Sequence, residues 1–465
     1  MYRAVLIFLC LALVVACGSL PDFSIAEEAP GWRTQRIPPT PQQNDGDAEA
    51  GWTYITTGGY VGSGMPYDFY VTKAGVTTDS VLNRPGLNAR VPYGVTVFEA
   101  PNGVTVANGN CFTCHAGELM GEVVPGLGNS FSDYQANLNL MARGMNIAML
   151  MQYDRQSFEY EAFEDFGRYF RDMSPLIRTN QPGVNPAFRL AEACMRHRDP
   201  EDLTYRDTPG WRMSAYTIAT DTPPLWHVGK KHALYYTGMG RGDFTKLLFQ
   251  ASVLGIPDST AARQAIHGFR DVLAWLRQLQ PPSYPKNVEK ILAEEGKLIF
   301  EENCSGCHGT YGETETYPNK LVSLEVIKTD SLYAQYTYQS GIVDWYNGSW
   351  FAQTEPRSYF EPSLGYVAPP LDGIWASAPY LHNGSVPTLE DLLNSVQRPT
   401  YWQRSGDSID YDFEKVGWKY ESGDRLRGDW VYDTTLPGYS NVGHYFGDKL
   451  TNAERRAVVE YLKTL

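Results

Sequence analysis

The amino-acid sequence predicts a mainly α-helical, loop-rich protein whose two domains follow a short export segment. Apolar residues recur at helical spacing in several stretches, which predicts amphipathic helices. Prolines and glycines separate these stretches without reaching the share expected of a low-complexity chain. The 465 residues leave room for two domains with substantial hydrophobic cores.

Two short segments carry the same arrangement of cysteine and histidine. Each has two cysteines three positions apart and a histidine directly after the second: Cys111, Cys114 and His115, then Cys304, Cys307 and His308. This spacing is the attachment sequence for c-type haem, in which one turn of chain bonds both vinyl-derived carbons of a porphyrin. The histidine then becomes the proximal ligand of the iron.

Other sites also use paired cysteines, namely zinc sites and thioredoxin-like redox centres. Neither alternative needs a histidine directly after the second cysteine, and neither copy lies in the βαβ setting of a redox dithiol. The sequence therefore predicts two covalently bound c-type haems. Cys194 is left over, and as a single cysteine on a predicted helix it is expected to be a buried small apolar residue.

The N-terminus has the composition of a secretory signal. Arg3 precedes an unbroken apolar run over residues 4–15, which is too short for an ordinary transmembrane helix. The following Ala16-Cys17 is similar to a bacterial lipobox, in which the cysteine becomes the lipidated first residue of the mature protein. Ordinary signal-peptide cleavage nearby is the alternative. Because c-type haem is attached outside the bacterial inner membrane, we expect a lipid-anchored protein on the periplasmic side of a membrane.

Composition divides the rest of the chain. Residues 1–16 form the signal peptide, and residues 17–50 are rich in Pro, Gln, Asp and Glu, which predicts a flexible tether. Residues 51–284 are expected to form an N-terminal haem domain and residues 285–465 a C-terminal cytochrome c domain. No stretch in these domains is long and apolar enough to span a membrane.

The formal net charge of −14 excludes one class of partner. Basic residues are spread along the chain, and no Lys/Arg block of the kind that follows a phosphate backbone occurs. The sequence therefore predicts no nucleic-acid partner. An acidic surface keeps an exported protein soluble, or favours docking of a basic electron carrier.

The N-terminal domain is expected to contain four longer helices, over residues 134–152, 157–171, 187–198 and 259–279. Met141, Met145 and Met149 recur at helical spacing, which is more typical of core packing than of iron ligands. Between the helices lies the aromatic segment 221–244, which contains Trp226. This segment either covers the distal face of the first haem or packs between the domains.

The C-terminal domain is expected to begin and end with helices that cross. Its first helix leads into Cys304, has an apolar face and contains Gly296, where another backbone can approach closely. The predicted apolar face consists of Val288, Ile291, Leu292, Leu298 and Ile299. Its last helix begins at the capping box Thr451-x-x-Glu454 and continues with Val458, Tyr461, Leu462 and Leu465.

The sixth ligand of the second iron follows from what this domain lacks. Every methionine lies at or before Met239, so no thioether of the C-terminal domain can reach the iron. His382 and His444 are its histidines besides His308. In class I cytochromes the sixth ligand lies on a loop just before the last helix, which favours His444. A structural or exposed histidine is the alternative.

Residues 368–393, APPLDGIWASAPYLHNGSVPTLEDLL, resemble a block found in di-haem bacterial cytochrome c peroxidases and their MauG-type relatives. Together with residues 443–447, the closest likeness in motif is to rubber oxygenase-type di-haem proteins. The resemblance implies two cytochrome c-like haem domains, the first enlarged by extra helices. It also implies an electron-relay role for Tyr380. The methionine ligand of the peroxidases would fall near Val396, so it is absent here, and this favours two histidine ligands.

Together these features predict an exported di-haem oxidoreductase. The second haem would transfer electrons, and the first would have no permanent distal ligand and would activate peroxide or dioxygen, with Trp226 in its pocket. The sixth ligand position of the first iron could instead be filled by Met120, His197, His227, His232 or Met239. A pure electron-transfer cytochrome with two six-coordinate haems is the alternative. A redox protein or a small oxidant is the expected partner.

Overall fold

The computed structural model describes residues 31–77, 81–214 and 217–465. The predicted signal peptide and Cys17 therefore lie outside the described residues. The helices are α1 (Ala48–Thr57), α2 (Tyr67–Ala74), α3 (Phe112–His115), α4 (Asn139–Gln152), α5 (Phe158–Met173), α6 (Ala187–Met195), α7 (Phe244–Phe249), α8 (Ser259–Gln278), α9 (Lys290–Asn303), α10 (Ser305–His308), α11 (Leu324–Ile327), α12 (Leu332–Gln339), α13 (Ile342–Gly348), α14 (Trp350–Gln353), α15 (Leu389–Leu393) and α16 (Asn452–Leu462).

The described strands are short. They are β1 (Thr34–Arg36), β2 (Met65–Pro66), β3 (Val95–Glu99), β4 (Thr105–Gly109), β5 (Ala116–Leu119), β6 (Glu122–Pro125), β7 (Gly240–Gly242), β8 (Lys320–Ser323), β9 (Ser358–Phe360), β10 (Gly365–Val367), β11 (Tyr401–Gln403), β12 (Tyr411–Asp412), β13 (Gly417–Trp418), β14 (Glu421–Ser422) and β15 (Val431–Asp433). The three-residue strands are too short to show the alternation that identifies a strand in a sequence.

The prediction of a mainly α-helical pair of haem domains is wrong. The structure is 39% helical and 13% strand, and its described strands form six small sheets. The physical reason lies in the long connections between helices. Their backbone N–H and C=O groups need partners once they are buried, and pairing with a neighbouring connection supplies them.

Two of these sheets join segments that are far apart in the chain. β8 pairs antiparallel with both β1 and β10, and β7 pairs antiparallel with β9. Strands from before and after Tyr284 therefore share sheets. The domain boundary between residues 284 and 285 stays a prediction.

Residues 31–50 belong to the predicted tether, yet they pack against the rest of the protein. Besides the pairing of β1 with β8, the Gln42 side chain donates to the Gly242 carbonyl at 2.8 Å. Arg277 on α8 donates to the Gln43 carbonyl and to Asn44. Besides these hydrogen bonds, Ile37 is buried in a small hydrophobic cluster with Ala233, Leu321 and Val367.

Several predicted helices are confirmed with small differences at their ends. The patterns over residues 134–152, 157–171, 187–198 and 259–279 correspond to α4, α5, α6 and α8. Met149 is fully buried, whereas Met141 is 56% exposed, so only part of the predicted methionine stripe packs in the core. The Cys194 side chain is buried as predicted, and burial raises its pKa well above the ordinary value.

Helices α9 and α16 cross as predicted, but the predicted apolar face of α9 is only partly buried, with Ile299 packed against the core. Ile291 and Leu298 are 78% and 69% exposed, whereas Ala293, Gly296 and Phe300 are buried. The crossing point decides which face is buried, because Gly296 lies against the backbone of α16 at Ala457. The α16 capping box is present, and Val458, Tyr461 and Leu462 are buried.

No helix among the described residues combines the length and apolarity needed to cross a bilayer.

Candidate haem sites

The second haem site consists of Cys304, Cys307, His308 and the residues around them. Helix α9 ends at Asn303, and the turn α10 places the cysteines and the histidine together at its end. Nδ1 of His308 lies 2.8 Å from the Pro369 carbonyl oxygen. This contact directs the Nδ1 proton to the carbonyl and leaves Nε2 as the lone-pair nitrogen, which is the arrangement of a metal-binding histidine.

The His444 ring faces the His308 ring across this site. The ring centroids are 6.2 Å apart and the planes are inclined by 58°. A metal bonded to both imidazoles needs about 2 Å to each nitrogen plus about 1.1 Å from nitrogen to ring centre, or roughly 6 Å between centroids. The observed separation meets that requirement. Burial lowers the pKa of His444 to about 3, so the imidazole remains neutral and able to act as a ligand.

The backbone around His444 holds the ring in place. His444 has the left-handed φ of 50°, and its N–H donates to the Ile327 carbonyl at 2.7 Å. Arg398 reaches into the same loop and donates to the carbonyls of Asn441 and Gly443, both at 2.7 Å. A side chain at Gly443 would collide with the Lys328–Thr329 backbone. These contacts hold the loop on the path that puts His444 opposite His308.

The first haem site consists of Cys111, Cys114, His115 and the residues around them. β4 leads into the turn α3, which carries the motif, and β5 follows directly. The Cys111 N–H donates to the Tyr60 hydroxyl at 3.2 Å, and the Cys114 sulfur lies 3.7 Å from the Tyr134 hydroxyl. Burial lowers the pKa of His115 to about 4, and the nearby Pro223 carbonyl offsets part of that effect.

No imidazole makes a ring contact with His115 among the described residues, in contrast to the second site. The candidate sixth ligands have other neighbours. One nitrogen of each of His197, His227 and His232 lies within 3.0 Å of a backbone carbonyl. Met239 is buried in a hydrophobic cluster, and Met120 is 36% exposed.

Trp226 lies between the two haem sites on the histidine side. A Cβ on Gly126 would lie 3.5 Å from one edge of its indole, and a Cβ on Gly373 would lie 3.2 Å from the other. The Gly126 N–H donates to the His115 carbonyl, and the indole N–H donates to the Asp372 carbonyl at 2.8 Å. Through these contacts Trp226 links the segment 221–244 to the neighbourhood of both motifs.

Tyr380 belongs to the same buried cluster as Trp226. Its hydroxyl donates to the carbonyls of Ile374 and Val416, at 3.3 and 3.2 Å. Burial raises its pKa well above the ordinary value, so the phenol remains protonated. His382 makes no ring contact with His308 among the described residues and stacks on Tyr366 at 4.2 Å.

The structure also contains a repeated turn that the sequence motifs described above do not include. Residues 234 and 240 exchange backbone hydrogen bonds, and so do residues 380 and 386. In both turns the residue after the first bridge position has a left-handed φ, 67° at Tyr235 and 68° at Leu381. Each turn follows a Pro-Pro-Leu element whose first proline carbonyl faces a proximal histidine. In the sequence, this repeat is indicated by Pro-Pro-Leu at residues 223–225 and again at residues 369–371.

The residues present fit covalent haem at both positions. Each motif offers two thiols and a buried neutral histidine, and at the second motif the Pro369 carbonyl orients the ring. At the second site, the spacing of the two imidazoles also matches the span of a six-coordinate iron.

Comparisons with known proteins agree with this chemistry. Residues 365–403 match the RoxA-like, cytochrome c-like family. The chain is 31% identical to the uncharacterized protein y4iJ of Sinorhizobium fredii (strain NBRC 101917 / NGR234) over 253 residues, which covers 40% of this chain and 41% of y4iJ. It is 25% identical to the uncharacterized protein y4iM of the same strain over 308 residues, covering 58% and 69%. The chain thus spans less than half the length of y4iJ.

The matched segment, residues 365–403, contains the Pro369 carbonyl that contacts His308, as well as Tyr380, His382 and Arg398. It therefore covers residues that shape the second haem site. Through this segment the chain is linked to the cytochrome c family and to a haem-binding redox function.

Proposed function

We propose that the protein is an exported c-type cytochrome oxidoreductase whose two haems have unequal coordination. The second haem would be closed by His308 and His444 and would transfer electrons. The first would have His115 as its one axial ligand, so that peroxide or dioxygen could bind to the iron. The observation that carries the proposal is the contrast between the two sites. The His308 ring has an imidazole partner at 6.2 Å, whereas the His115 ring has none among the described residues.

A c-type haem supplies an iron that gains or loses one electron, and an iron with a free axial position also binds small oxidants. The chain's own residues set the difference between the two sites. The Pro369 carbonyl orients His308, and Arg398 holds the loop that presents His444. At the first site, burial keeps His115 neutral and therefore able to act as a ligand.

Trp226 is proposed to connect the two sites. Its indole lies against Gly126, whose N–H bonds to the His115 carbonyl, and against Gly373, four residues after Pro369. An aromatic ring between two segments that each contact a motif would shorten the path for an electron between the haems. Tyr380, in the same cluster, would relay electrons or support the packing around Trp226.

The proposal includes export and a lipid anchor at Cys17 on the periplasmic side of a bacterial membrane. Its support is the apolar run over residues 4–15 followed by Ala16-Cys17. The partners would be a redox protein and a small oxidant, with no nucleic acid involved.

Electron paramagnetic resonance and cyanide binding test the proposal on the purified ferric protein. We expect one low-spin and one high-spin iron, and cyanide or hydrogen peroxide should shift only the Soret band of the high-spin haem. The paired variant Cys111→Ala/Cys114→Ala should lose the high-spin signal and the cyanide response. The matched variant Cys304→Ala/Cys307→Ala should lose the low-spin signal.

The contrary result is also defined. If both irons are low-spin in the ferric protein and neither responds to cyanide or peroxide, the enzymatic proposal fails. The electron-transfer cytochrome with two six-coordinate haems then replaces it.

A further inference from the structure

A concavity of about 350 Å³ opens beside the second haem motif. Its lining includes Ser305 and Gly306, the two residues between the attachment cysteines, together with Arg36 of β1, Lys320 of β8 and Tyr317. Gly306 is exposed, and a Cβ placed there would meet nothing within 4 Å. A partner can therefore approach the chain at the cysteine-bearing edge of the haem. We call this feature the basic concavity.

Two unpaired cations define the basic concavity. Arg36 and Lys320 lie directly opposite each other in the antiparallel pair of β1 and β8, so their side chains project from the same face of the sheet. Neither forms an ion pair or a side-chain hydrogen bond in the described part of the chain. Like charges in this cross-strand position are destabilising. The two cations nevertheless lie side by side in a protein whose formal net charge is −14.

The basic concavity reaches the attachment cysteines, because Ser305 and Gly306 of its lining lie between Cys304 and Cys307 in the chain. No acidic side chain lines the basic concavity. The cysteine-bearing edge of the second haem site is thus a basic patch on an acidic protein.

The haem itself does not explain these cations. In a c-type haem the cysteines bond the vinyl-derived carbons, and the propionates lie on the opposite half of the porphyrin. Arg36 and Lys320 lie beside the residues between the cysteines, on the vinyl side, so they are not placed to neutralise the propionates. Their charge is available to an anionic group that comes from outside.

We propose that the basic concavity docks the acidic face of a reduced electron-carrier protein, which delivers one electron to the second haem. The ferric iron of that haem becomes ferrous, the carrier is oxidised by one electron, and no proton or bond changes. The inference rests on the proposed electron-transfer role of the second haem. It adds the docking surface and an acidic charge for the partner. The net charge of −14 by itself would instead have predicted a basic partner.

Stopped-flow reduction of the full-length holoprotein tests the proposal, with a reduced acidic plant-type ferredoxin as the probe. The potential of such a ferredoxin is low enough to reduce a bis-histidine haem. The rate at which the ferredoxin reduces the second haem should fall as salt is added. Arg36→Glu/Lys320→Glu should slow reduction at least tenfold at low salt. Lys419→Glu/Arg425→Glu, which makes the same charge change at exposed positions outside the concavity, should react like the wild type.

A second variant separates contact from charge. Gly306→Phe places a large side chain in the open space between the cysteines, and it should slow reduction by the ferredoxin while leaving the potential of the second haem unchanged. Low-spin spectra in all variants show that the haem site itself is intact. Because Arg36→Glu/Lys320→Glu also lowers the potential of the second haem, reduction by a neutral small reductant, which needs no docking, measures that effect by itself. The rate with ferredoxin should fall further than the rate with the small reductant. Wild-type rates in the Arg36→Glu/Lys320→Glu variant, or faster reduction of wild type at high salt, would overturn the proposal. If the wild-type protein contained no low-spin haem, that result would instead refute the proposed function.

Discussion

Gly296 of α9 and Ala457 of α16 touch backbone to backbone, and a Cβ at position 296 would collide with the Ala457 carbonyl. This contact fixes the crossing of the two helices that frame the second haem site. Gly296→Ala should therefore lower the free energy of unfolding by about 1–3 kcal/mol, the usual cost of overpacking. Urea denaturation followed by far-UV circular dichroism measures the change.

Gly144 on α4 is the matched control, because a Cβ there would meet nothing within 4 Å. Gly144→Ala should be neutral or stabilise the protein by up to about 1 kcal/mol, since alanine has the higher helix propensity. Equal stabilities of the two variants would show that the close crossing is not required.

His444→Met tests the proposed second axial ligand. A thioether in place of an imidazole raises the reduction potential of a haem, so one haem should shift upward and the other should stay where it is. Spectroelectrochemical titration measures both potentials. His267→Met, at an exposed position on α8, should move neither. If neither haem moves in His444→Met, His444 is not a ligand.

Arg398 is expected to position His444. It donates to the carbonyls of Asn441, Gly443 and Leu392 at 2.7–2.8 Å, so Arg398→Ala leaves several loop carbonyls without their donor. The variant should gain a high-spin fraction at the second haem as temperature rises, seen in the Soret band. Arg398→Lys should recover part of the low-spin state, because an ammonium can reach fewer of these carbonyls than a guanidinium.

Arg456→Ala is the control for Arg398→Ala. Arg456 forms an exposed ion pair with Glu289, and such pairs contribute about 0–1 kcal/mol. Its removal should leave the haem spectrum unchanged. A spectrum unchanged in Arg398→Ala as well would mean that the remaining loop contacts suffice to place His444.

Buried His382 should make stability depend on pH. Burial lowers its pKa to about 3 in the folded protein, whereas an unfolded histidine titrates near pH 6.5. Below about pH 6.5 the unfolded state binds the extra proton, so stability falls as pH decreases, by up to about 1.4 kcal/mol per pH unit for one such histidine. Above that pH its contribution is constant.

His382→Asn should therefore flatten the fall in unfolding free energy between pH 6.5 and pH 5. Urea denaturation at several pH values measures the slope. His267→Asn, at an exposed position on α8, should leave the slope as in wild type. An unaltered slope in His382→Asn would contradict the assignment of a neutral buried imidazole.

Cys17→Ser tests the proposed lipid anchor, which lies outside the described residues. Without the thiol no diacylglycerol can be attached, and the protein should move from the membrane fraction to the soluble fraction. Fractionation with salt and carbonate washes, followed by immunoblotting, measures the distribution. Cys10→Ser within the apolar run is the control and should not change it. Persistent membrane binding of the Cys17 variant would place the anchor elsewhere.

The sequence alone determined the chemistry of the two attachment motifs. Two cysteines and a histidine within five residues define a local geometry, because one turn of chain brings them together whatever surrounds it. The same locality explains why the capping box at Thr451 and the helices α5 and α8 were predictable. The apolar periodicity of a helix can be recognised within a single stretch of about a dozen residues.

The tertiary structure alone decided how the helices and ligands meet. Which face of α9 is buried depends on where α16 crosses it, and the sequence pattern favoured the exposed Ile291 and Leu298. The short strands form because distant connections pair with one another, so no local pattern announced them. The opposition of Arg36 and Lys320 depends on a strand register across nearly three hundred residues, as the separation of positions 36 and 320 shows.

The placement of His444 combines both kinds of information. The absence of methionine after position 239 reduced the candidates to two histidines. Only the fold placed the His444 ring 6.2 Å from His308 and left His382 stacked on Tyr366. A ligand opposite a motif comes from a distant loop, and its position is set by the contacts of that loop, here Arg398 and the left-handed turn at residues 443–444.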